Sequence, residues 1–547
     1  MLSRLVLALL LVPTLVLAQP EAGTDVAARV DALFAPWSAS DSPGCAVGVW
    51  KAGQPVLSRA YGMANLEHGV PITPDTVFEA GSVSKQFTVA AVLLLEQQGK
   101  LSLDDAVRKH VPELPDYGAP LTLRHLVHHT SGLRDWGTVV DAAGWPRGSR
   151  IHTHAHVLEV LARQRSLNFP TGTEFLYSNS GYNLLAIIVE RVSGQSFSAF
   201  TREHLFEPLG MARTQWRDDF ARLVKGRATA YVSSKEGWRS QMPFENVYGN
   251  GGLLTTVGDL LRWNENFVHE RVGGRALIEA LQRKGRLSDG REIEYAGGLF
   301  VFSYRGVAEV GHGGATAGYR AYLTRYPDTG LSVALLCNVA DIRAGDVAHQ
   351  VADVFLGAAP EPLAETPAVL ASEVLAARAG LYRSLRTSEP LELLVTDAGL
   401  QVKGGEVLSA VSETRFVSSR SRMRLDFALG RDGRTRTLSM LLPDGDSISF
   451  EPVKAPALTP SLLAGYVGTY ASDEAEASYS VRVVDGGLVL ERRPGVVFRL
   501  EPAYADVFKA PELGLVSFRR GAGGRIEALS LGLGRVRDLR FRRVRTR

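Results

Sequence analysis

Phe78-Glu79-Ala80-Gly81-Ser82-Val83-Ser84-Lys85-Gln86-Phe87-Thr88 is the stretch on which the fold of this chain turns. Residues 89–98 behind it are apolar with helical spacing, so Ser82 falls at the start of a helix and Lys85 one turn later on the same face. A helix N-terminus stabilises negative charge developing at Ser82. An amine one turn away can take the hydroxyl proton, provided burial keeps the lysine neutral for part of the time. Alone, the pattern fixes two residues in four, and an N-capping serine beside a surface lysine satisfies it equally well.

Two further elements change that weighing. Phe175-Leu176-Tyr177-Ser178-Asn179-Ser180 precedes a helical run over 182–192, and Tyr177 and Asn179, two apart in an extended loop, can face one cleft. A tyrosine there can move protons and an asparagine amide can hold a substrate carbonyl. The plainer alternative is a loop of helix-capping residues. Gly311-His312-Gly313-Gly314-Ala315 stands just before a strand over 320–326. Its glycines admit a close backbone approach. An N–H there, opposite that of Ser82, would form an oxyanion hole; the alternative is a Gly-rich turn.

Outward from these elements, the chain divides. Residues 24–36 have helical spacing, and strand-like runs at 45–50 and 55–61 flank a turn, which is a hairpin pattern. Residues 79–280 are mostly helical in pattern; strands return at 298–303, 320–326 and 331–337, and 343–355 is helical. A sheet built from both ends, with a helical region inserted, explains this order. Residues 357–366, with Pro360 and Pro362, read as a linker.

Beyond the linker the texture is short alternating strands, and it repeats. Gly380-Leu381-Tyr382 matches Gly468-Thr469-Tyr470, and Asp397-Ala398-Gly399-Leu400 matches Asp485-Gly486-Gly487-Leu488, both at a shift of 88 residues. Gly433-Arg434 matches Gly524-Arg525, and Phe450-Glu451-Pro452-Val453 matches Phe541-Arg542-Arg543-Val544, both at 91. Four anchors in one order predict two related all-β modules, each a small barrel or sandwich. The expected divisions are a leader at 1–18, a first domain at 19–356, a linker at 357–372, and β modules at 373–455 and 456–547.

The leader is read from Arg4, the apolar run 5–17 and small residues before a cut near Ala18. That run is short of the roughly 20 residues that span a bilayer, so no stable membrane span is expected after cleavage, and the destination is periplasmic or secreted. An uncleaved anchor is the alternative. The 547 residues suffice for a large core without metal or disulfide. A net charge of +3, from 61 basic and 58 acidic residues, gives no reason to expect nucleic acid as a partner. Cys45 and Cys337 could face each other if their runs pair antiparallel, but most residue pairs fail the geometry of a bridge, which favours two buried thiols. His125, His128 and His129 have helical spacing but no HExxH partner, so they read as structural, with metal: none. Seven arginines between 535 and 547 could touch anionic polymers; the favoured reading is a last strand with a solvated face. No GxSxG occurs, which removes the α/β-hydrolase nucleophile elbow.

In this order, Ser82–Lys85, Tyr177–Asn179 and His312–Gly314 resemble the SxxK, Tyr-x-Asn and Lys-Thr-Gly or His-x-Gly elements of one serine hydrolase family. It includes penicillin-binding proteins, class C β-lactamases, D-aminopeptidases and related esterases. Leu121-Thr122-Leu123-Arg124-His125-Leu126, His129-Thr130-Ser131-Gly132-Leu133, and Gly251-Gly252-Leu253 with Asp259-Leu260 are similar too. The resemblance covers about residues 24–356. It implies an α+β fold, with a β-lactamase-like catalytic domain (antiparallel sheet, helices and a helical subdomain) before the two small all-β barrels. It implies acylation of Ser82, proton transfer by Lys85 and Tyr177, substrate binding by Asn179, His312 and Gly314, and an oxyanion hole from the N–H groups of Ser82 and Ala315. No cofactor is implied; the expected partner is a small-molecule or peptide substrate.

One departure matters. Gly313 stands where β-lactamases and carboxypeptidases carry a threonine, and neutral His312 replaces a lysine, which weakens the case for substrates ending in a carboxylate; Arg320 could supply a charge instead. His-x-Gly and two trailing barrels resemble the D-aminopeptidases in layout, in which a barrel loop shapes the active site and favours small substrates with a free amine. The expectation is therefore an exported hydrolase of D-amino-acid amides or peptides. An esterase, a β-lactamase or D-Ala-D-Ala carboxypeptidase, and a non-catalytic wall-peptide binder stay open.

Overall fold

The computed structural model describes residues 22–357, 368–418, 423–442 and 445–544. The expected leader lies outside these residues, as do 358–367 of the expected linker.

Two nearly unbroken apolar runs make the centre. Cys45–Lys51 and Leu331–Cys337 pair antiparallel with Cys45 opposite Cys337. Alternate residues of a strand face opposite ways. Accordingly, Cys45, Val47, Val49, Val333 and Leu335 enter one core, under the helices Ala22–Leu33 and Ala344–Leu356. Ala46, Ala334 and Leu336 enter another, which they share with Val257 and Leu261 of the helix Val257–His269. A sheet covered on both faces tolerates no polar side, which is why these runs do not alternate.

The sheet has six strands, all antiparallel, in the order Phe300–Tyr304, Val307–Thr316, Tyr319–Tyr326, Leu331–Cys337, Cys45–Lys51, Gln54–Tyr61. One of them departs from the sequence expectation. Val307–Thr316 is a strand and contains the whole His312–Ala315 segment. Glycines at 311, 313 and 314 disguise it, because glycine weakens local strand preference while the ladder on both sides holds the segment extended.

The thiol expectation is also corrected: Cys45 and Cys337 form a disulfide. Their strands pair in register with the two residues directly opposite, so the requirement that rejects most pairs is met by the sheet itself.

The two β modules are closed antiparallel barrels of eight strands, from Gly380–Ser384 to Ser447–Val453 and from Gly468–Ser472 to Leu539–Arg543. The repeat survives in detail. Tyr382 Oη donates to Arg378 O and Tyr470 Oη to Tyr466 O, both at 2.7 Å, each tying the first strand to the short helix before it. The barrels differ in attachment. The first has its own core around Leu400, Phe416 and Leu438. The second shares one continuous core with the helical region of the first domain. Where they meet, Tyr479 Oη donates to Ala142 O at 2.6 Å and buried Arg134 pairs with Glu474 at 2.6 Å. Among the described residues, no helix is long and apolar enough to cross a membrane.

Candidate active site

Ser82 lies in the 3-10 turn Gly81–Ser84, which runs directly into the helix Lys85–Gln97. Ser84 Oγ holds that turn, donating to Gly81 O at 2.6 Å and accepting from Leu253 N at 3.1 Å. Gly81 is left-handed, at φ +52°, and a Cβ on it would stand 2.6 Å from Ala315 N. A Cβ on Gly314 would stand 2.0 Å from Ala80 O and 3.2 Å from Ser82 N. These two glycines let the strand Val307–Thr316 close onto the turn, bringing the backbones of Ser82 and Ala315 together.

Lys85 is fully buried. Its Nζ lies 3.1 Å from Ser82 Oγ, 3.0 Å from Asn179 Oδ1 and 2.6 Å from Asn250 O. Burial, reinforced by the positive charge of Arg535, brings the Lys85 ammonium well below the ordinary lysine range, against the opposing pull of Asp135. Asn179 opens the helix Asn179–Ser193, and its backbone N–H donates to Asp135 Oδ2 at 2.8 Å. Tyr177 puts its ring 4.8 Å from Lys85 Nζ and 4.2 Å from the ring of His129. The Tyr177 oxygen is buried with no hydrogen-bond partner, and burial raises its pKa, although the nearby Ser82 hydroxyl and Arg535 charge pull the other way.

His312 is placed beside Tyr177, with 5.9 Å between ring centroids. Its Nδ1 faces Gly313 O, and its Nε2 is 3.3 Å from Tyr295 Oη. A carbonyl only accepts, so Nδ1 carries the proton and Nε2 accepts from the tyrosine. Burial, followed by the charge of Lys85, takes its pKa down to about 3. Both ring nitrogens are thus engaged inside the protein. His129 Nδ1 accepts from Ser178 N at 3.2 Å and His125 closes a capping box with Thr122, so two of the three clustered histidines hold backbone.

All the candidate residues border or underlie one cavity of about 530 Å³. Several residues that sequence reasoning missed lie there too. Glu79 accepts from Arg217 at 2.8 and 3.1 Å; Arg147 donates to Glu245, which stands outside the lining; and Asn250 supplies the carbonyl on Lys85. Glu79 was visible inside the decisive stretch. The others sit in segments without a local motif, gathered only by the fold. Arg535 is a correction. It precedes the last strand, in the loop at 533–538 of the second barrel, and its half-exposed side chain lines the cavity, its guanidinium carbon 4.9 Å from the Tyr177 ring centroid.

Comparison with known proteins agrees with this geometry. A D-aminopeptidase of Gluconobacter oxydans (strain 621H) is 28% identical over 529 residues, 92% of this chain and 96% of that protein. The octameric penicillin-binding protein homologue from Pyrococcus abyssi superposes with a TM-score of 0.55 at 23% identity, covering 87% of this chain and 99% of its own. The D-amino acid amidase from Ochrobactrum anthropi SV3 gives 0.53 at 21%, covering 61% and 99%. At such identities these two structures share the fold. The model of the Beta-lactamase family matches residues 29–354, well over half of the chain and every residue that lines the cavity except Arg535. The chain therefore belongs to the Beta-lactamase family and is a serine hydrolase.

Proposed function

We propose that this chain hydrolyses amide bonds of small substrates, D-amino-acid amides and peptides first among them, through an acyl-enzyme on Ser82. The observation that carries the reading is the environment of Lys85 Nζ. Asn250 O and Asn179 Oδ1 are pure acceptors and take the two N–H bonds of a neutral amine. Its lone pair is then left for the Ser82 hydroxyl 3.1 Å away. Ser82 Oγ attacks the carbonyl carbon as its proton passes to Lys85. The N–H groups of Ser82 and Ala315 stabilise the oxyanion. Tyr177 Oη, free of other partners, relays the proton to the leaving nitrogen, the C–N bond breaks, and water later releases the acyl group by the reverse proton path. Asn179 keeps its Nδ2 for a substrate carbonyl. His312 and Gly314 serve substrate binding through the strand that carries them rather than through a free imidazole. The relatives' D-aminopeptidase and D-amino acid amidase activities support the D-configured amide as the substrate class. Export through the leader at 1–18 and division at 357–372, 373–455 and 456–547 belong to the same reading.

The test compares D-alanine p-nitroanilide, p-nitrophenyl butyrate and nitrocefin, with Ser82→Ala as blank and a fluorophosphonate probe for the nucleophile. Turnover of the anilide above the others, lost in Ser82→Ala, is the expected result. Ester turnover alone would make the chain an esterase, and nitrocefin turnover a β-lactamase. Wild-type rates in Ser82→Ala would end the mechanism.

A further inference from the structure

The second barrel does more than pack against the first domain. Its loop at 533–538 is fastened from both sides. Buried Val536 joins the shared core. Asn168 Nδ2 donates to Arg535 O at 3.1 Å and accepts the Arg537 N–H on Oδ1 at 2.8 Å. Arg134 donates to Arg537 O and Asp538 O at 3.0 and 3.2 Å, and Arg537 pairs with Glu174 at 2.9 Å. A loop held this firmly presents one side chain to the cavity, that of Arg535.

The Arg535 guanidinium lies over the Tyr177 ring, and its hydrogen-bond donors are not engaged there. Among the described residues it donates no hydrogen bond; its ion pair with Asp135 is long, at 3.9 Å, and its side chain is 45% exposed. Asp135 already accepts from Thr138 N on Oδ1 and from Asn179 N on Oδ2. On the opposite wall, Arg320 stands across from Ala315 in the sheet and donates only to the carbonyls of Ala317 and Tyr319. The acidic side is spent: Glu79 serves Arg217 and Arg227, and Glu245 serves Arg147. A substrate ammonium entering this cavity meets the cations Arg320, Arg343 and Arg535 and, among the described residues that line it, no carboxylate without an arginine partner. A substrate carboxylate meets a planar fork of donors that hydrogen-bond no other described residue.

We infer that Arg535 is a substrate-recognition residue of the second barrel that selects, among small amides, those carrying a carboxylate. The inference deepens the proposed function and rests on it. It keeps D-amino-acid amides and peptides as the substrate class and ranks them by whether they also carry a carboxylate.

The test uses the full chain and three D-alanine anilides: N-acetyl-D-alanine p-nitroanilide, its N-succinyl counterpart, and the N-acetyl compound with a carboxylate on the nitroanilide ring. Wild type is expected to turn over at least one carboxylate-bearing substrate with kcat/KM about tenfold above the neutral one, as a charge-assisted hydrogen bond gives. The preferred compound reports which end of the substrate lies under Arg535. In Arg535→Ala the ratio of carboxylate-bearing to neutral kcat/KM should fall to near unity; the ratio is the readout because the Arg535 charge also bears on Lys85 and Tyr177, so the neutral rate shifts too. Arg535→Lys should keep part of it, and Arg535→Glu should reverse it. A preference unchanged in Arg535→Ala, or a wild type that disfavours both carboxylates while turning over the neutral anilide, overturns the inference and leaves the hydrolase reading standing. Failure to turn over any of the three by a preparation that cleaves D-alanine p-nitroanilide overturns the inference alone; failure on that anilide as well, with no fluorophosphonate labelling of Ser82, removes both.

Discussion

His128, His129 and His312 are buried as neutral rings, His312 in the wall of the cleft, and burial is the main cause in each. It brings His128 down to about 4, His312 to about 3, and His129 well below the ordinary histidine range, with neighbouring positive charge adding to the last two. The unfolded chain binds protons at these histidines from about pH 6.5 downward, whereas the native fold does not. Stability should therefore fall as pH drops below about 6.5, by about 1.4 kcal/mol per pH unit for each ring protonated only in the unfolded chain. Thermal melts between pH 7 and 5 check this. His128→Gln should give a shallower decline, and a flat wild-type profile would mean the rings gain protons in the fold. The same residues show the reach of sequence reasoning. Ser82, Lys85, Tyr177 and Asn179 were legible because each sits in a short motif tied to a helix start. Arg217, Glu245 and Arg147 were not, since a buried ion pair between distant segments leaves no periodicity in either.

Among the elements, the long strands and helices were readable from their apolar runs, and the barrels from their repeat. The strand Val307–Thr316 was not, because its three glycines argue locally for a turn and only its two neighbours in the ladder decide otherwise. The loop at 533–538 was hidden differently: its arginines look like any solvated strand end until Arg134 is placed beneath them. Arg134 is buried and bonds Glu474, Ser166 O and two carbonyls of the loop. Removing it strands a carboxylate and several carbonyls in the interface. Arg134→Met should cost about 3–5 kcal/mol in urea unfolding, with lower kcat/KM as the loop loosens. A loss below about 1 kcal/mol would show that the loop holds without it.

At the scale of the molecule, the three β-rich units are not equivalent partners. The second barrel and the helical region share one core, while the first barrel closes around its own and meets the rest through contacts such as the Arg291–Asp446 and Arg386–Glu174 pairs. Cooperativity follows continuous packing rather than chain order. Scanning calorimetry should resolve the catalytic domain and second barrel unfolding in one transition and the first barrel in another. A transition for each of the three units would contradict the shared core.

That shared core has a consequence for how the protein comes into being. Translation delivers the catalytic domain through its helix Ala344–Leu356 first, then a barrel that contributes nothing to the catalytic core, and only afterwards Val536 and Arg535. At about 5–20 residues per second, the second barrel arrives only tens of seconds after the catalytic domain, and until then Arg134 and the Ala142 carbonyl lack the partners it supplies. The finished cleft thus certifies that translation has passed residue 535: a ribosome that stops earlier releases a chain with every motif of the hydrolase and an unfinished active site.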